Sequence, residues 1–367
     1  MPLPVSYEPV RDELRERDAC AFVHVGREDD PTLRHLGRVD AVDGELAVVV
    51  TPDQSLLLAP DAPAAATETF PGDRVLPAGG SIPTGERVGV ALDDLGLSGT
   101  VLTPRTVPHD AALYLENAGY EVASTAVVDD ARVVKTDAEQ LRQSTVQSAA
   151  CAGMRRAAAV LDEAHAHEGR LDWADAPLTA LRLRREVDAA IAGEGMRPTY
   201  TAIGVGGDPA TPRSEAALEP GQTVVVDLAP RGPDGLHGRL VRTFVVDGDG
   251  GWTRRAQLAA EGALDAAVAE LEPGTGAAVG TELDAEVRAY GFEPHPDSGG
   301  YGVGLERREP PTLDDGALPA GAVLALDVTV ADATEGRVRL ADLVAVTDDG
   351  GRPLGAFPRS LAPGVVL

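Results

Sequence analysis

Lysine is almost missing from this sequence: Lys135 is the only one, and the other 31 cations are arginines. Cysteine is scarce as well. Cys20 and Cys151 cannot build a disulfide framework, which excludes the stapled secreted scaffolds and fits a reducing cytoplasm. Aromatics make up only 4% of the chain, so its cores must be assembled from Ala, Val and Leu. No apolar run approaches the roughly 20 residues that span a bilayer, and Met1 to Glu16 has no apolar signal core. Positive charge is short overall: 59 acids face 32 bases, for a formal charge of -27. Such a surface repels a phosphate backbone, which excludes nucleic acid as a general partner. Acid excess, missing lysine and small aliphatic cores together suit a high-salt cytoplasm, where screening relieves self-repulsion. The expectation is a soluble cytoplasmic protein without a membrane partner.

The 367 residues are enough for two domains, each with its own core. The expected fold class is α/β (α+β), divided into residues 1–132 and 136–367. In the first part, Tyr7 to Arg17 reads as a helix and Ala19 to Val25 as a strand. Leu46 to Thr51 and Ser55 to Ala59 read as a hairpin across Pro52 and Asp53. Strands are expected at Arg87 to Ala91, Thr100 to Thr103 and Glu121 to Ala126, with a helix over Asp110 to Asn117. From Asp137 to Glu168 the composition predicts one long amphipathic helix, with Leu141, Ala150, Met154, Ala158 and Leu161 near helical spacing. A helix over Thr179 to Ala192 and strands at Thr199 to Val205, Thr223 to Ala229 and Arg239 to Val246 complete a unit.

That unit then recurs. Helices are expected over Trp252 to Leu271 and Glu282 to Tyr290, followed by strands at Val323 to Val330 and Arg337 to Thr347. Gly221-Gln-Thr-Val-Val-Val-Asp227 matches Gly321-Ala-Val-Leu-Ala-Leu-Asp327, and Gly238-Arg239 matches Gly336-Arg337. Two such copies predict a pseudo-twofold sheet with helices outside it. Asp227 and Asp327 then sit at equivalent strand positions, where propensity disfavours aspartate, so the pair needs a reason.

Several segments resemble one family in order: Leu33-Arg-His-Leu-Gly37, Lys135-Thr-Asp-Ala-Glu139, Gly235 to Phe244 with Asp227 before it, Gly300-Tyr-Gly-Val-Gly-Leu-Glu306, Glu309-Pro310 and Arg339-Leu-Ala-Asp342. They are similar to the pita-bread metallopeptidases of the aminopeptidase P, prolidase and creatinase branch. The resemblance implies an amino-terminal creatinase-like domain, a pita-bread domain and a homodimer. It also implies five metal ligands, two Asp, one His and two Glu, holding two divalent ions that activate a water. Carried over position by position, these fall on Asp227, Arg239, Tyr301, Asp327 and Ala341. Two further family histidines fall on Arg213 and Arg308. Arginine offers no lone pair to a metal, so the fold motifs persist while the metal motifs do not, and no metal cofactor is expected.

Arg239 could span Asp227 and Asp327, replacing a lost ligand and the metal's charge together. One reading is a buried structural ion pair. The other is a cleft of Arg213, Arg239, Arg308 and Arg339 that binds a carboxylate or other anion. The ion pair is preferred, because buried charges need partners before they can serve ligands. Tyr301 is expected to line the core or pocket. Remaining motifs read as structure: Pro296-Asp-Ser-Gly-Gly300 resembles a serine-protease nucleophile segment without its partners. His165-Ala-His167 reads as a solvated helix end, and Gly204-Val-Gly-Gly-Asp208 as a turn. The expectation is a degenerate, non-catalytic relative that binds a peptide or small anion. The alternative is an X-Pro peptidase or other amide hydrolase rebuilt around Asp227, Asp327 and His237 or His295.

Overall fold

A computed structural model describes residues 3–39, 43–60, 69–77, 82–208, 210–211, 214–316 and 318–367. The chain forms two compact units, Met1–Arg132 and Val133–Leu367. In the first, the elements run α1 (Glu8–Glu16), β1 (Ala19–Gly26), α2 (Pro31–Gly37), β2 (Leu46–Val50), β3 (Ser55–Ala59) and β4 (Arg74–Pro77). α3 (Thr84–Asp94), β5 (Thr100–Thr103), α4 (His109–Asn117), β6 (Glu121–Ser124) and α5 (Val127–Val133) follow. The sheet order is β4-β3-β2-β1-β5-β6. Both faces are covered, which is why β2 and β3 read as continuous apolar runs rather than alternating ones. Phe22, Val48 and Leu57 pack under α1 and α2, while Val23, Val49 and Leu56 pack under α3 and α4.

The segment Arg87 to Ala91, expected as a strand, lies inside helix α3. Its valines favour a strand, but Val88 and Leu92 are one helical turn apart and both are buried. Gly85 lets α3 approach α4 closely: a Cβ there would lie 2.8 Å from Ala111 Cα. Tertiary packing overrides propensity here.

The second unit begins with α6 (Asp137–Glu163), opened by a capping box between Thr136 and Glu139. Of the apolar positions assigned to this helix, Leu141 is instead 69% exposed. The helix is also shorter than expected. Residues 165–177 form a small sheet of β7 (His165–His167), β8 (Arg170–Trp173) and β9 (Ala176–Pro177). Glu168 and Gly169, with φ of 50° and 80°, turn β7 into β8. His165 and His167 therefore lie on a strand and not on a helix end, and His167 Nδ1 is 2.9 Å from Asp172.

α7 (Ala180–Gly193) precedes β10 (Thr201–Val205), β11 (Thr223–Leu228) and β12 (Leu240–Val245). α8 (Gly251–Glu270), α9 (Gly276–Ala289), β13 (Gly299–Gly302), β14 (Glu309–Thr312), β15 (Val323–Asp332), β16 (Gly336–Thr347) and β17 (Gly350–Pro353) follow. The large sheet runs β10-β11-β12-β16-β15-β13-β14, with β17 paired to β16. The internal repeat is visible in its geometry. Gly221 N–H donates to Val246 O and Gly321 N–H to Val346 O, both at 2.8 Å. Both glycines have positive φ, 79° and 88°, which any other residue would adopt only with strain. Asp227 is opposite Val241, and Asp327 is opposite Ala341. This register makes Arg339, rather than Arg337, the counterpart of Arg239; β16 simply starts earlier than β12.

Alternation along the strands assigns the faces. Val224, Val226, Leu228, Leu240 and Phe244 pack against α6 and α7, and Leu324, Leu326, Val328, Leu340 and Val344 pack against α8 and α9. Asp227, Val241, Asp327 and Ala341 consequently point to the opposite face, away from the helices.

Candidate functional site

One row of residues crosses that face in register: Asp227, Val241, Ala341, Asp327 and Gly299 on β11, β12, β16, β15 and β13. Ala341 and Val241 are small, so the two carboxylates can share the space above them. Two guanidiniums fill it. Arg239 grips Asp227 with both terminal nitrogens, and its Nη2 also donates to Asp327 Oδ2 at 3.1 Å. Arg339 mirrors this arrangement. It donates to Asp327 from Nε at 2.8 Å and from Nη2 at 2.6 Å, and its Nη1 reaches Asp227 Oδ2 at 2.9 Å. Each arginine thus forks onto one aspartate and bridges to the other. The cluster is neutral in sum.

Tyr301 closes one side. Its hydroxyl accepts from Arg239 Nε at 2.9 Å and donates to Asp327 Oδ2 at 3.4 Å. Burial alone would lower the Arg239 pKa, but Asp227, Tyr301 and Asp327 outweigh it and hold the group well above the usual arginine value. Burial alone would likewise raise Asp327, but Arg339 and Arg239 keep it below the usual carboxylate range. The Tyr301 hydroxyl is raised, chiefly by burial. Arg239, Arg339 and Asp327 are held in their ionised forms by the opposite charges around them.

The backbone of Arg239 is fixed from the helix layer. Gln147 Oε1 accepts from Arg239 N–H at 2.9 Å, and Gln147 Nε2 donates to Arg239 O at 2.8 Å. One turn earlier, Gln143 Nε2 donates to the carbonyls of His237 and Val303. The sequence reading missed both glutamines. Their signal was two amides four residues apart on the buried face of a helix, where amides need partners.

Arg308 stands apart from the ion cluster. Its guanidinium is 4.0 Å above the Tyr301 ring, exposed, at the edge of a cleft of about 790 Å³ that Tyr301 and His295 also line. Arg307, which the sequence reading did not single out, stacks in the same way on Tyr200 at 4.2 Å. Arg213 lies outside the described residues. Of the four arginines assigned to an anion cleft, Arg239 and Arg339 are thus committed to the aspartates.

The histidines do not join the cluster. His237 Nδ1 lies 3.2 Å from Gly304 O, so that nitrogen carries the proton, and burial pushes its pKa down to about 4. His295 Nδ1 accepts from Asp297 N–H at 3.1 Å. Ser298 Oγ is tied to the Thr329 backbone rather than to a base. Among the described residues, no group of three or more His, Cys, Asp or Glu side chains is placed to hold a metal ion. No described helix is long and apolar enough to cross a membrane.

The sequence matches the family model of metallopeptidase family M24 over residues 152–348. No curated protein matches it. Solved structures do. A prolidase from Pyrococcus horikoshii OT3 is 19% identical with a TM-score of 0.81, over 96% of this chain and 99% of that one. An Xaa-Pro dipeptidase from Bacillus anthracis is 18% identical with a TM-score of 0.82, over 96% and 98%. An X-Pro aminopeptidase from Thermotoga maritima is 17% identical with a TM-score of 0.79, over 93% and 96%. These likenesses carry the fold, in which a mixed amino-terminal unit precedes a pita-bread unit. With the family model spanning more than half of its length, the chain belongs to metallopeptidase family M24.

Proposed function

We propose that this chain is a non-catalytic member of its family that binds a peptide or small anion. The observation that carries the reading is the reciprocal grip of Arg239 and Arg339 on Asp227 and Asp327. The donor set does not fit a pair of divalent ions. Of the five positions at which the family resemblance implies ligands, only Asp227 and Asp327 carry carboxylates. Arg239 offers no lone pair, Ala341 offers only a methyl group, and Tyr301 is a phenol whose ionisation burial opposes. An ion entering between the aspartates would have to displace two guanidiniums and leave them buried without partners. Stripping one partner from a buried pair costs about 3–5 kcal/mol.

The rebuilt-hydrolase reading has no observation in its favour, since neither His237 nor His295 contacts the cluster. The test is metal analysis together with an assay on X-Pro peptides, using protein purified in high salt. The expected result is no stoichiometric manganese, cobalt or zinc and no cleavage. Retained metal with X-Pro cleavage would reject the proposal.

A further inference from the structure

The chain is strongly acidic, yet its two consecutive arginines beside the cluster have no carboxylate partner among the described residues. Arg307 and Arg308 are both exposed, and the guanidinium carbon of each sits over a tyrosine ring, Tyr200 at 4.2 Å and Tyr301 at 4.0 Å. A cation–π contact holds a guanidinium in place without using its N–H groups. Tyr301 belongs to the cluster, and Tyr200 lies within electrostatic reach of it. Tyr301 bonds to Arg239 and Asp327, and the Tyr200 hydroxyl, raised chiefly by burial, also feels Asp227, Arg239, Arg307 and Arg339.

The local charge follows directly. Asp227 and Asp327 cancel Arg239 and Arg339, and Glu309 cancels Lys135, so Arg307 and Arg308 add two positive charges here against the neighbouring Glu306. Arg339 also keeps a 20% exposed side chain, and only three of its five N–H groups are spent on the aspartates. Besides Arg308, the cleft is lined by Asp284, Arg288, Glu293 and Asp314, and Arg288 pairs with Asp284 at 3.5 Å.

We infer that Arg307 and Arg308 form the anchor of a binding site for a small dianion, a phosphate or a dicarboxylate. This rests on the non-catalytic reading above and specifies its ligand. Two guanidiniums adjacent in sequence suit a ligand that carries two negative charges. Guanidinium forks suit bidentate recognition of oxygen pairs, which a lysine ammonium would not supply.

Calorimetric titration of the full chain with potassium phosphate, and separately with potassium succinate, tests the site. Saturable one-to-one binding of at least one anion is expected. Binding of phosphate alone identifies a tetrahedral oxyanion, and binding of succinate alone identifies a dicarboxylate. Arg307→Ala and Arg308→Ala should each weaken binding about tenfold or more, as expected for loss of charge-assisted hydrogen bonds. Arg185→Ala, an exposed change on α7, should leave it unaltered. Both site arginines are at the surface, so unchanged thermal midpoints will show that the variants fold. Failure of both anions to bind, or binding indifferent to both alanine changes, overturns the inference. A metal-free, inactive protein that binds neither anion would leave the non-catalytic reading standing. Metal retention with peptide cleavage would remove both.

Discussion

Asp227 and Asp327 lie in one cross-strand row, separated by Val241 and Ala341, and a single nitrogen, Arg239 Nη2, donates to both at 3.2 and 3.1 Å. Removing that arginine leaves two buried carboxylates with one guanidinium between them. Arg239→Met is expected to destabilise the protein by about 3–5 kcal/mol, read from the denaturant midpoint. Arg239→Lys should recover little, because a point charge cannot reproduce the fork. A loss below about 1 kcal/mol, the range of exposed pairs, would contradict the buried bridge.

Restoring the ligand types should restore metal affinity only as a set. Arg239→Asp, Tyr301→His and Ala341→Glu combined are expected to create manganese binding measurable by calorimetry. Each single change should do little, because ligands act as a unit. Tight manganese binding by the unaltered chain would contradict the premise.

The pH dependence of stability has two parts. His237 is held neutral, its pKa lowered from 6.5 to about 4, chiefly by burial. The unfolded chain therefore takes up a proton that the folded one refuses between those values. The His237 contribution, on the order of 3 kcal/mol, is complete above about pH 6.5 and is lost as pH falls toward 4. Asp327, held below the usual carboxylate range, adds a second loss at lower pH, as its folded-state pKa is crossed. Denaturant midpoints across this range should show the first decline, and His237→Gln should flatten it while sparing the second. A decline unchanged in that variant would assign it to other groups.

Lys135 and Glu309 form a second buried pair at 2.7 Å, with side chains 3% exposed. Lys135→Met should cost about 3–5 kcal/mol by removing the cation from a buried carboxylate. Adding Glu309→Leu should return most of that loss, although the Glu306 N–H that bonds to Glu309 remains without its acceptor. A double variant no more stable than the single one would show that the pair is not coupled.

The aspartates were legible because the repeat is exact in spacing: Gly221 to Asp227 and Gly321 to Asp327 advance equally, and strand alternation then fixes their face. Arg239 spanning them followed from charge. The matching role of Arg339 did not, because sequence alignment of the second strands paired Arg239 with Arg337, and only the ladder reveals the true counterpart. Helix α3 was hidden by β-branched residues in a short window, and the turn at Glu168 and Gly169 was hidden by a helical composition that continued past Glu163. Arg307 and Tyr200 were invisible for a simpler reason. Stacking between distant segments leaves no mark in local spacing.

The burial of Lys135 has a practical corollary for handling this protein. Reagents that acylate amines will find no lysine side chain at the surface while the fold persists, because the single ε-ammonium is sealed beneath its partner. Reactivity at that nitrogen would report opening of the pita-bread unit itself, making one atom a built-in gauge of unfolding.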